Sequence, residues 1–261
     1  MNTLIFDGTW DGMLSAVFEA YTRRWHLWND ENDIALLRPD TPRPLFADNV
    51  ADVTTDPERS KRVWKALEQK MERAALSALT VSFLSEDTTI DTPTLRFIIK
   101  VIESRQKGFE RNFADNDALA IVRTAKQVRY DAHRLLQFIR FQKAADGTYF
   151  AMTDPRHNVL PMILDHFTDR FADQHFIIYD HRRGYGYFYD GTEPRLITLP
   201  ANLNHMATGW LPDEMLAPDE RLFRRLWQTY FKAIAIKERT NPRKQRADMP
   251  VRYWRYLTEK N

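Results

Sequence analysis

Cysteine is absent from the 261-residue sequence. That excludes disulfides, iron–sulfur clusters, thiolate zinc sites and cysteine nucleophiles, and it fits a reducing cytosol. Glycine is scarce, at eight residues, which argues against a glycine-rich phosphate loop and a many-turned all-β fold. No apolar run approaches the ~20 residues of a spanning helix. The longest stretch, 74–84, is broken by Ser77, Thr80 and Ser82. The opening MNTLIFDGTWDG lacks the basic stretch and apolar core of a signal peptide. These absences predict a soluble, cytoplasmic chain with no membrane association. Its hydrophobic content of 43% and charged content of 28% are ordinary for a globular protein.

Overall charge is nearly balanced, 38 basic against 36 acidic side chains, but it is not evenly spread. Residues 221–261 hold twelve Lys/Arg against three acids, interleaved with seven aromatics, which leaves 26 basic and 33 acidic side chains in the first 220 residues. A basic arm of about +9 thus follows a body of about −7. Such an arm suits a surface that meets phosphate, because each neutralised phosphate releases counterions. A solvated helix face has the same composition.

Periodicity and turn residues predict a helix-rich α+β fold with a small antiparallel sheet formed by hairpins in the middle-to-C-terminal half. Leu4–Phe6 reads as a strand. Leu14, Val17, Phe18 and Tyr21 recur at helical spacing, so a helix runs from Met13 to about Trp25. Pro39, Pro42 and Pro44 mark a loop, and Asn49–Thr55 a possible strand. Asp56-Pro57-Glu58 starts a helix that is expected to continue through Arg73 to Leu84. Further helices are expected over Asp91–Lys107, from Asp115 or Asn116 to Leu136, over Asn158–Phe171 and over Arg221–Glu238, with short helical turns after Asn241-Pro242 and Met249-Pro250. Hairpins are expected at 138–152 and 176–189, with Leu196–Leu199 a further strand. We read 1–261 as a single compact domain, mainly helical over 1–137, β-hairpins with one helix over 138–200, and a C-terminal helix and basic aromatic arm over 219–261.

Catalytic motifs are few. There is no phosphate-binding glycine motif, HExxH, CxxC or GxSxG. The seven histidines (His26, His133, His157, His166, His175, His181 and His205) form no pair at a recognised metal-ligand spacing. Neither metal nor cofactor is therefore expected. Asp7 and Asp11 sit in glycine turns ahead of a helix, where a carboxylate holds a metal, acts as a base or simply accepts backbone N–H bonds. Asp154-Pro155-Arg156-His157-Asn158 and Asp180-His181-Arg182-Arg183 lie at strand ends, where side chains converge. An Asp–His pair there serves acid–base chemistry, and the arginines suit phosphate. Arg123, Lys126, Arg129, Arg134 and Arg140, beside His133, form a basic stripe on the helix before the first hairpin.

The C-terminal arm is the richest candidate. Helical spacing groups Leu222, Leu226, Tyr230 and Ile234 as an expected core seam, with Arg224, Arg225, Lys232 and Lys237 facing elsewhere. Beyond it come Arg243, Lys244 and Arg246, then Arg252-Tyr253-Trp254-Arg255-Tyr256. Side chains of this kind pair with phosphates and stack on unpaired bases; they equally pack back onto a domain.

Several segments together resemble a bacterial DNA-metabolism-protein family built on a domain of unknown function. They are Phe6 to Tyr21 (FDGTWDGMLSAVFEAY), Asp154 to Pro161 (DPRHNVLP), Leu226 to Lys232 (LWQTYFK), Asn241 to Arg246 (NPRKQR) and Met249 to Trp254 (MPVRYW). The resemblance implies a link to a radical S-adenosylmethionine protein of DNA modification or repair, encoded beside family members. It also implies kinship with domains fused ahead of uracil-DNA-glycosylase-like domains. These 261 residues leave no room for that glycosylase, and a chain without cysteine cannot carry the radical enzyme's cluster. The resulting expectation is a DNA-binding accessory protein with Arg243, Lys244, Arg246, Arg252, Trp254 and Arg255 as contacts. One alternative is a nucleic-acid-processing enzyme using Asp7, Asp11, His157 and Asp180. The other is an adaptor that docks on a radical enzyme or glycosylase.

Overall fold

The computed structural model describes residues 1–28, 30, 33–42, 47–105, 108–200, 208–236 and 240–260. Pro44, Lys107, His205, Lys237 and Glu238, named above, lie outside the described residues. The chain divides into two compact units, Met1–Arg129 and Tyr130–Asn261.

The first unit opens with β1 (Asn2–Ile5), α1 (Trp10–Thr22), β2 (Ile34–Leu37) and β3 (Asn49–Asp52). The strands form a parallel sheet in the order β2-β1-β3. In β2, Ile34, Ala35 and Leu36 are all buried. A strand covered on both faces reads as a bare apolar run without alternation, and the turn-based reading misses it. α1 starts where Thr9 accepts the Gly12 N–H. α2 (Pro57–Lys70) starts at Asp56, whose carboxylate accepts the Glu58 and Arg59 N–H groups. The expected helix to Leu84 is corrected: Met71 takes an extended backbone with its side chain buried, and α3 (Arg73–Phe83) begins afresh. α4 (Asp91–Glu103) supplies Leu95, Ile98 and Ile99 to the core shared by Leu4, Phe6, Leu14 and Leu67.

α5 (Asn116–Phe138) runs through the division between the units. The second unit then builds β4 (Gln142–Lys143), β5 (Tyr149–Thr153), α6 (Leu160–Arg170), β6 (Phe176–Asp180), β7 (Tyr185–Tyr189) and β8 (Pro194–Ile197), in sheet order β4-β5-β6-β7-β8. The fold class is α+β and helix-rich, but this sheet is mixed, not purely antiparallel. β5 and β6 are parallel, because a helix between two neighbouring strands makes a crossover where a hairpin would need a tight turn. The first hairpin also starts later than expected, since Phe138 still belongs to α5. Phe141 packs edge-on against Phe167, Phe171 and Phe176. There follow α7 (Glu220–Ala233), α8 (Pro242–Asp248), a six-residue 3-10 helix, Val251–Tyr256, and a 3-10 turn, Thr258–Lys260. No helix among the described residues is long and apolar enough to cross a membrane.

Candidate nucleic-acid interface

Parallel sheets place ligands outside the carboxyl ends of their strands, most often where the strand order reverses. In the first unit that position lies beside β1, and internal bonds fill it. Asp7 accepts from the Thr9 N–H at 2.9 Å and the Thr9 hydroxyl at 2.7 Å, and from the Thr55 hydroxyl at 2.7 Å. Burial pushes the Asp7 carboxyl up, but these bonds hold it below the ordinary aspartate range. Asp11 accepts from Ser60 at 2.5 Å, and the Asp56 N–H donates to Ser15 at 3.0 Å. The loops after β1 and β3 are stitched together by these side chains. An ionised carboxylate with three donors is a poor base.

The two strand-end motifs of the second unit do converge, because the parallel register sets Thr153 beside Asp180. Arg182 pairs with Asp154 at 3.0 Å. Arg183 pairs with the fully buried Asp180 at 2.8 Å and also donates to the Pro155 and Arg156 carbonyls. Arg183 is thereby spent on the loop, while Arg182 stays 54% exposed beside Asp154. The His157 N–H donates to Asp131 at 3.0 Å, and the Tyr185 hydroxyl donates to Asn158. Asp7 and Asp11 belong to the first unit and His157 and Asp180 to the second, so neither unit assembles the four. Among the described residues no group of three His, Asp or Glu side chains is placed to hold a metal.

On the C-terminal arm the expected contacts divide. Arg252 is anchored: its guanidinium binds Asp131, which also accepts from the Tyr253 hydroxyl at 2.9 Å. Trp254 is half-buried and donates to the Met249 carbonyl at 2.9 Å, with the Lys260 ammonium 4.5 Å above its ring. Arg255 lies over the Tyr256 ring at 4.6 Å. Lys244 pairs with Asp248 at 3.0 Å on the exposed surface. Arg243 and Arg246 are exposed on α8 with no partner among the described residues. On the helix stripe, Arg123 and Lys126 are exposed, while Arg129 donates to Ser77, Arg134 to the Ala247 carbonyl and Arg140 to Glu259.

The expected core seam of α7 is overturned. Leu222 is 50% exposed, Leu226 54%, Tyr230 55% and Ile234 55%. Periodicity shows that a helix has two unlike faces; it does not say which one docks. Here the docked face is polar. Arg224 bonds Gln142 at 2.8 Å and Glu220 at 3.2 Å, Gln228 bonds the Thr258 carbonyl, and the Trp227 indole donates to Glu259 at 2.9 Å. The exposed side carries Phe223 and Tyr230 with the exposed cations Arg225 and Lys232, and Trp227, 39% exposed, stands at its border. Neither cation's charged group has a partner among the described residues.

The family model of a domain of unknown function, DUF4130, matches residues 89–259, about two thirds of the chain. No curated protein and no solved structure matches.

Proposed function

The chain belongs to the DUF4130 family of domains of unknown function, and we propose that it is a cytoplasmic DNA-binding accessory module that presents DNA to an enzyme of modification or repair. The observation that carries this reading is the set Arg225, Lys232, Arg243 and Arg246 on two successive helices, exposed and without carboxylate partners among the described residues. An unpaired cation meets phosphate without first breaking an ion pair, so these four should contribute most of the electrostatic attraction. Arg252 instead holds the arm to Asp131, and Trp254 is engaged within the arm by the Met249 carbonyl. The radical S-adenosylmethionine protein implied by the resemblance is the partner we infer.

Fluorescence anisotropy with labelled single- and double-stranded oligonucleotides tests the proposal. Four phosphate contacts correspond to a log–log salt slope of about −3 to −4, reduced by about one for each contact removed. Absence of binding at low salt, or an unchanged slope in the Arg225→Ala/Arg243→Ala/Arg246→Ala variant, refutes it.

The aliphatic part of the exposed α7 face favours a second contact, with a partner protein, since Leu222 and Leu226 gain nothing from phosphate. Co-purification that survives nuclease and high salt supports that adaptor role.

A further inference from the structure

Between the base of α7 and the segment before β4 lies an open cleft of about 370 Å³, within the ~300–1,000 Å³ range of small-ligand sites. The rings of Phe141, Phe223 and Trp227 line it, together with Arg140, Arg224 and Glu220. Its charges are already balanced. Arg140 pairs with Glu259 at 2.7 Å and Arg224 with Glu220 at 3.2 Å, and the Arg140 guanidinium sits 5.8 Å from the Trp227 ring. A neutralised pocket is a poor seat for phosphate. It suits a planar aromatic ligand with donors and acceptors on its edge, stacked on the rings with its edge towards the Glu220–Arg224 pair.

The cation Arg225 stands on the same helix, so a chain carrying both phosphates and such planar groups engages both features. We propose that this cleft takes an unpaired nucleobase, and that the chain therefore binds single-stranded nucleic acid in preference to duplex. Paired bases keep their faces stacked inside the duplex and cannot enter. This inference rests on the reading that the α7–α8 surface binds nucleic acid.

The test uses the full chain with three labelled probes: oligothymidylate, the same backbone carrying abasic sites, and a duplex. Phe223 is 58% exposed, so Phe223→Ala should leave the fold intact, which circular dichroism checks. The expected result is a loss of about 5- to 150-fold in affinity for oligothymidylate, with affinity for the duplex and the abasic strand unchanged. Phe223→Tyr should restore binding. Equal affinity for oligothymidylate and the abasic strand, or no effect of Phe223→Ala, overturns the cleft proposal. If in that case the duplex still binds through the arginines, the accessory-module reading stands without it. Absence of binding to any probe at low salt overturns both.

Discussion

Asp131 provides the sharpest test of how the C-terminal arm is held. It lies on α5 with a side chain 4% exposed, and its two oxygens serve three donors. Oδ1 accepts from the Tyr253 hydroxyl at 2.9 Å and from Arg252, while Oδ2 accepts from the His157 N–H at 3.0 Å. Asp131→Ala leaves the buried Tyr253 hydroxyl and the His157 N–H without this acceptor, at roughly 1–3 kcal/mol each. Arg252, 37% exposed, rehydrates, so its pair is worth only about 0–1 kcal/mol. The expected loss is about 2–7 kcal/mol. Asp131→Asn retains one acceptor but turns an amide N–H₂ towards a donor, and should cost about 1–3 kcal/mol. Tyr253→Phe in the Asp131→Ala background removes one orphaned hydroxyl, so the double variant should lose less than the sum of the singles. Urea denaturation followed by tryptophan fluorescence reads all four proteins. A loss below about 1 kcal/mol in Asp131→Ala, or strict additivity with Tyr253→Phe, would refute the reasoning.

Three further outcomes follow from the geometry. Leu226→Glu should change stability by no more than about 0.5 kcal/mol in the same denaturation assay, whereas a core leucine would cost several times that. Gly12→Ala should lower the melting temperature, although alanine normally favours a helix by about 1 kcal/mol: its Cβ would sit 2.1 Å from Asp7 Oδ1. Burial pushes Glu259 up, but hydrogen bonds from Arg140 and Trp227 hold it below its ordinary value of 4.5. A depressed carboxylate contributes stability above the unfolded pKa and loses it as pH falls through the folded one. Glu259→Gln should therefore flatten the acid limb of stability below about pH 4.5, and parallel limbs for the two proteins would refute this.

Local chemistry was legible in the sequence where a side chain acts on its own backbone. Asp56-Pro57 and Asn241-Pro242 start helices as their residue types require, because capping depends on neighbours within three positions. The break at Met71 carries no Gly or Pro signal; it follows from burying the Met71 side chain. The parallel pairing of β5 with β6 depends on where α6 crosses, which periodicity does not encode. For α7 the pattern identified an amphipathic helix but assigned its faces the wrong way round, since the docking groups are Glu220, Arg224 and Gln228. Asp131 was missed altogether. Its signal was present: it sits three residues after Val128 and four before Leu135, both buried, and an acid on an apolar helix face requires partners.

The distribution of satisfied and unsatisfied groups bears on what the molecule does. At the carboxyl ends of the parallel strands of both sheets, where α/β sheets commonly hold ligands, the carboxylates Asp7, Asp11 and Asp180 are each engaged by side chains of their own unit. The exposed ring of Phe223 and the cations Arg225, Lys232, Arg243 and Arg246 have no such engagement among the described residues, Tyr230 packs on the neighbouring Trp227 at 5.8 Å, and all stand on α7 and α8. Contiguous exposed aromatic and aliphatic surface is a common feature of interaction sites. Cations alone would suit any anion, and rings alone any apolar partner. Rings on α7 and cations on both helices are what the proposed ligand, which alternates phosphate with planar bases, would require.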